Sequence, residues 1–161
     1  MNEHDVAQRI FYKWLKSDVS AHNIKLFDFE SDVLALKPSG YLIEYEIKLS
    51  VSDFRADFKK KKKIDRRLIK SPMQTRHEFL LSGKGANRFY YVLPDEVYQK
   101  VKDELPKWAG LITFRQYQND DRISIGHQRN AEILHKNTFG EKIKIKILTA
   151  MYWKAWHKLN K

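Results

Sequence analysis

The sequence predicts an α/β fold, a mixed β-sheet flanked by helices, with core elements in the order helix, three strands, helix, strand (αβββαβ). Three observations carry this expectation. Residues 41–49 alternate in polarity with the two-residue period of a strand. A helical pattern opens directly after them at Ser50. Phe89-Tyr90-Tyr91-Val92-Leu93 is then an unbroken apolar run of the kind found in buried strands. A strand followed by a helix and a buried strand permits a crossover to a parallel neighbour.

The first element, residues 3–16, reads as an amphipathic helix because Val6, Ile10 and Trp14 recur at four-residue steps. Glu3 lies three residues before Val6 and seven before Ile10, so it falls on the stripe expected to face the core. Carboxylates seldom occupy such positions. Residues 23–29 alternate imperfectly and are the first strand candidate. Residues 32–36 are a short apolar run starting on a carboxylate, and Pro38-Ser39-Gly40 signals a turn. Within residues 41–49, Leu42, Glu44, Glu46 and Lys48 share one face, and Ile43, Tyr45, Ile47 and Leu49 the other. The turn makes residues 32–48 a hairpin candidate.

From residue 50 to about 67 the pattern is helical. Ser50 with Asp53 resembles a capping box, and Phe54 and Phe58 stand one turn apart. Ser71-Pro72 ends this element, and Ser82-Gly83-Lys84-Gly85 is a loop. After the buried strand, Pro94 precedes a short helix over residues 95–104. Residues 111–114 and 122–125 are shorter strands around the polar 118–121 turn. The C-terminal segment mixes strand-like and helix-like spacing, and a helix from about Gly140 is favoured. Neither an internal repeat nor a flexible linker is visible, so residues 1–161 read as one domain.

Composition narrows the function classes. The 161 residues are 42% hydrophobic and 32% charged, as expected of a globular rather than a disordered chain. No stretch approaches the ~20 apolar residues of a membrane span, and Met1 to Asp5 has no signal-peptide character. Cysteine is absent, which excludes disulfides and zinc ribbons and agrees with a cytoplasmic location. The net charge is +11, and between Lys48 and Arg76 eleven Lys or Arg face three Asp. A second basic stretch runs from Lys142 to Lys161. Clustered positive charge attracts polyanions, nucleic acid above all.

The chemistry is expected at Asp32, Glu46 and Lys48. A hairpin would set the two carboxylates side by side on adjacent strands, where they suit a hard divalent cation completed by water. Lys48, two residues beyond Glu46, points to the same face and can polarise a water or balance charge developing on phosphorus. The basic segment with Lys59, Lys60, Lys61, Lys62, Lys63, Arg66 and Arg67 would then hold a phosphate backbone.

Asp32 followed by Glu46-Ile47-Lys48 resembles the PD-(D/E)XK nuclease superfamily, which has the restriction-endonuclease-like fold. Further blocks, at residues 45–54, 87–94 and 105–112, are similar to small phage- and bacterium-encoded members. Together they span roughly residues 30–135. The resemblance implies a Mg²⁺- or Mn²⁺-dependent deoxyribonuclease. Asp32, Glu46 and the Ile47 backbone carbonyl would bind the metal, Lys48 would assist the attacking water, and Glu3 would be the acidic residue of the first helix. Asp32 follows Ser31 rather than the proline of the superfamily's name. The competing expectations are a non-catalytic nucleic-acid-binding module on the same scaffold and a nuclease directed at RNA.

Other residues compete poorly. The histidines at 4, 22, 77, 127, 135 and 157 form no pair at metal-ligand spacing. The glycine-containing loop at 82–85 lacks phosphate-loop spacing. Tyr152, Trp153 and Trp156 could stack on bases, but packing of the helix onto the core is favoured for them. Asp53 and Asp57 are expected to cap or decorate the helix surface.

Overall fold

The computed structural model describes residues 2–15, 19–60, 74–117 and 123–159, without the side chains of residues 11–14 and 158. In chain order its elements are α1 (Glu3–Trp14), β1 (Val19–Ile24), β2 (Ser31–Leu36), β3 (Leu42–Ile47), α2 (Val51–Asp57), α3 (Arg76–Leu81), β4 (Arg88–Pro94), α4 (Asp95–Val101), β5 (Gly110–Gln116), β6 (Ile123–Arg129) and α5 (Glu141–Leu159). The strands form one mixed sheet in which spatial order equals chain order, β1 to β6. Antiparallel pairs lie at both flanks, and the joints β3–β4 and β4–β5 are parallel. Both parallel connections pass through helices, as the crossover rule requires.

Alternation along the strands divides the core in two. Val33, Ala35, Ile43, Tyr45, Ile47, Tyr90 and Val92 meet Val6 and Ile10 of α1 on one face. Leu34, Leu36, Leu42, Phe89, Tyr91 and Leu93 meet Phe54 of α2 and Val97 and Val101 of α4 on the other. The parallel strands are buried on both faces, which is why β4 reads as a continuous apolar run.

Local signals act where expected. At the β2–β3 turn, Gly40 donates its amide to the Lys37 carbonyl at 2.9 Å and adopts φ +81°, a conformation glycine accepts without steric cost. Ser50 caps α2, its hydroxyl accepting the Asp53 amide at 3.1 Å.

Three elements depart most from expectation. The first strand is β1 at 19–24, not 23–29. Asn23 takes φ +47° near its end, and Phe27 and Phe29 pack from the following loop onto Phe79. Their aromatic character mimicked a strand. Helix α2 closes at Asp57 rather than near residue 67. Helix α3 was not anticipated. Its start is written in the sequence as Thr75 and Glu78, which form a reciprocal capping box. The turn expected at 118–121 lies outside the described residues. Helix α5 follows the expected boundary and packs against β1.

Candidate active site

Strand alternation places Glu44, Glu46 and Lys48 on the face of the sheet that meets α2 and α3. Buried charges cost several kcal/mol each unless they are paired, and here they are paired with one another. Glu46 is fully buried. Its Oε1 receives Lys48 Nζ at 2.9 Å, Lys60 Nζ at 3.4 Å and Arg76 Nη1. Arg76, also buried, bridges to Glu44 through Nη2 and to Asp57 through Nη1, the latter at 3.3 Å. Tyr91 donates its hydroxyl to Asp57 Oδ2 at 2.8 Å, and His77 Nε2 lies 2.7 Å from the same hydroxyl.

Asp32 reaches this group from the neighbouring strand. Val33 pairs with Tyr45, and the same register carried one residue further sets Asp32 across from Glu46. The Ile47 amide donates to Asp32 Oδ2 at 2.7 Å. Burial is the first cause that raises the Asp32 carboxyl, to about 7, and the Glu46 charge is the second. The Ile47 hydrogen bond and Lys48 pull it down without overcoming them, and Glu3 adds a smaller push upward.

The other shifts sort the roles. Burial disfavours charge on Lys48, but Glu46 and Asp57 outweigh it and hold the ammonium above its ordinary range. Burial likewise pushes Asp57 up, while the His77 hydrogen bond and the Arg76 and Lys48 charges hold it well below the usual carboxylate range. Burial and then the Asp57 charge raise the Tyr91 hydroxyl far above its ordinary value. Lys48 is therefore a fixed cation and Asp57 a fixed anion at neutral pH.

With Asp32 ionised, four carboxylates (Asp32, Glu44, Glu46, Asp57) face the two buried cations Lys48 and Arg76 and the half-exposed Lys60. In that state these groups carry one more negative than positive charge, and with Asp32 protonated they balance. Moreover, Glu46 Oε2 is buried and finds no hydrogen-bond partner among the described residues. An orphaned carboxylate oxygen costs about 1–3 kcal/mol unless something else meets it. A divalent cation held by Glu46 and Asp32 would supply positive charge and meet the free carboxylate oxygen. Among the described residues no three His, Asp or Glu side chains converge as a metal cluster. Mg²⁺, however, commonly binds through one or two carboxylates and keeps several waters. The residues fit such an ion.

Several expectations need correction. Glu3 is exposed rather than buried, because it sits in the first turn of α1, before the helix is covered at Val6. Its charge nevertheless reaches Asp32. Asp57 is buried at the centre of the network instead of decorating a helix surface, because α2 ends there and turns the carboxylate inward. Lys60 points to Glu46, while Lys59 is exposed. Lys61, Lys62, Lys63, Arg66 and Arg67 lie outside the described residues. Tyr152, Trp153 and Trp156 are exposed rather than packed on the core.

Arg76, Tyr91 and Glu44 were not singled out in the sequence. The capping box at Thr75 could have located α3 and, with it, Arg76 at the first helical position. A cleft of about 980 Å³, lined by Leu49, Tyr98, Thr113, Arg115, Gln116 and Gln128 among others, opens beyond the C-terminal ends of β3, β4 and β5. Such edges are where open α/β sheets commonly take their ligands. Among the described residues, no helix is long and apolar enough to cross a membrane.

No family model matches the chain, and no curated protein matches it in sequence. A solved structure similar to it is the SPO1766 protein of unknown function from Silicibacter pomeroyi. The two share 18% identity and a TM-score of 0.56 over 96% of this chain and 84% of that one. At that identity the likeness speaks for the fold alone.

Proposed function

We propose that the chain is a divalent-metal-dependent nuclease that hydrolyses DNA phosphodiester bonds on a restriction-endonuclease-like core of the PD-(D/E)XK type, acting in the cytoplasm. One observation carries the reading: Glu46, whose buried Oε2 finds no hydrogen-bond partner among the described residues, stands across a strand pair from Asp32, whose carboxyl is raised by burial and by Glu46. This is a carboxylate pair in need of a cation. The sheet order around it, with an antiparallel hairpin leading into two parallel joints, accommodates the resemblance drawn from residues 30–135.

Asp32, Glu46 and the Ile47 carbonyl would hold Mg²⁺ or Mn²⁺, which supplies Lewis acidity and lowers the pKa of a coordinated water. Lys48 is held charged by Glu46 and Asp57. It therefore acts as a fixed cation beside the scissile phosphate and as a hydrogen-bond donor to the attacking water, not as a neutral base. Arg76 and Asp57 keep Glu46 and Lys48 in place. Lys59 and the basic segment after it meet the backbone phosphates.

A second reading, a non-catalytic nucleic-acid-binding module, is favoured by a different observation. Glu46 Oε1 is already met by three cationic side chains, which can neutralise the site without a metal. Incubation of the protein with single-stranded, duplex and branched DNA in Mg²⁺ or Mn²⁺ separates the two. Cleavage that disappears in Asp32→Asn and Lys48→Ala, with folding intact by circular dichroism, supports the nuclease. Cleavage that persists in both variants overturns it. Salt-sensitive DNA binding with no cleavage and no calorimetric Mn²⁺ binding establishes the module instead.

A further inference from the structure

Helix α5 has two unlike faces. Ile143, Ile147, Ala150 and Lys154, at steps of four, three and four, turn toward the sheet, and Ile147 is fully buried. The opposite face leaves Tyr152, Trp153 and Trp156 exposed at 59%, 53% and 49%. Their rings form one group: Tyr152 meets Trp153 edge-on at 5.6 Å and lies nearly parallel to Trp156 at 6.4 Å. Large aromatics in water are costly unless something covers them at work.

The charge around this face selects the occupant. Residues Glu141–Leu159 carry five lysines against one glutamate, in a chain of net charge +11. Two such faces brought together in a dimer would juxtapose like charges. Rings that offer π-faces, on a helix whose N-terminal half carries Lys142, Lys144 and Lys146, suit unpaired bases joined by phosphates. Paired bases keep their faces stacked and inaccessible.

Position points the same way. Lys154 Nζ donates to the carbonyls of His22 and Asn23, the latter at 2.8 Å. His22 pairs with Val33, the neighbour of Asp32. The aromatic half of α5 therefore lies at the end of β1 nearest Asp32 along the strands, beside α1.

We infer that the exposed aromatic face of α5 is a stacking platform for unpaired bases, binding a single-stranded segment of the nucleic acid whose phosphodiester reaches Asp32 and Glu46. This deepens the nuclease reading by naming its substrate class, nucleic acid with a single-stranded part. Binding is measured without divalent metal, so that a silent catalytic site does not affect it.

The test titrates the full chain in EDTA with fluorescein-labelled oligothymidylate and with a blunt duplex, read by anisotropy and by quenching of tryptophan fluorescence. Tyr152→Ala/Trp153→Ala should weaken oligothymidylate binding at least about tenfold and the duplex much less. Tyr152→Phe, which keeps the ring, should bind as the wild type does. Unchanged affinity in the double variant overturns the platform, as does an equal loss for both probes. A wild-type dimer that the double substitution dissociates in sedimentation, or preferential capture by phosphatidylglycerol vesicles, also overturns it. Ring-dependent binding without cleavage in Mg²⁺ upholds the platform and overturns only the nuclease reading.

Discussion

The Ile47 amide donates to Asp32 Oδ2 at 2.7 Å, so the strand that carries Glu46 and Lys48 also fastens the carboxylate of the strand beside it. Backbone and side chain thereby hold the two acids of the site in one register. The arrangement is costly. A carboxyl raised to about 7 by burial and by Glu46 resists the ionisation that a metal site requires.

That cost should be measurable as stability. The folded value lies above the ordinary carboxylate value near 4, so the fold favours the protonated form. The Asp32 contribution is complete below about pH 4 and is lost as pH rises through 7. The metal-free protein should lose at most about 4 kcal/mol across that window from this group. In Asp32→Asn this part of the pH dependence should vanish, leaving a higher urea midpoint than the wild type at pH 8.

Divalent metal should oppose the same effect. The ion binds the ionised carboxylate and competes with its proton, so Mn²⁺ affinity should fall by about tenfold per pH unit below 7 and level off above it. Calorimetry in buffers of different ionisation enthalpy should detect close to one proton released at pH 6. At pH 8 added Mg²⁺ should raise Tm in the wild type and leave Asp32→Asn unmoved.

Arg76 should be a large single contributor to stability. Its guanidinium meets Glu44, Glu46 and Asp57 in the interior. Arg76→Ala would leave those buried carboxylates undercompensated, at a cost of about 3–5 kcal/mol. A Tm drop on the order of 10 °C is expected for a domain of this size. Arg76→Lys keeps the charge but not the fork that spans two acids, and should recover only part of the loss in differential scanning fluorimetry.

Gly110 opens β5 under the ring of Tyr90. A Cβ there would stand 2.3 Å from two ring carbons and 2.8 Å from the Ala131 amide nitrogen. The Tyr90 ring is itself stacked on Tyr45 at 5.4 Å, so it has little room to yield. Gly110→Ala should cost about 2 kcal/mol, within the range of core overpacking, as read from chemical denaturation.

The parts of the site legible in the sequence were those set by local period. Glu46 and Lys48 share a face because strand geometry alternates, and Asp32 meets them because Pro38-Ser39-Gly40 closes a hairpin with fixed register. Asp57, Arg76 and Tyr91 escaped because nothing local joins them. Arg76 reaches Glu44 from 32 positions away, and Tyr91 reaches Asp57 from 34. A buried tyrosine in an apolar run looks like packing until its hydroxyl finds an acid. Boundaries failed for a similar reason. Phe29 pleads for a strand in one dimension, yet it serves Phe79 from a loop.

Spatial order equals chain order across all six strands, and this has a consequence for how the molecule is assembled. During synthesis each new strand finds its partner already in place, so the sheet can grow by accretion as it leaves the ribosome. The exception is the first strand. Helix α5, which packs on β1, follows all six strands in the chain, and Lys154 closes on the His22 carbonyl across 132 positions of sequence. Until then β1 remains an uncovered edge, open to pairing with other chains. The interval between synthesis of β1 and synthesis of α5, rather than growth of the sheet, is the time most exposed to aggregation.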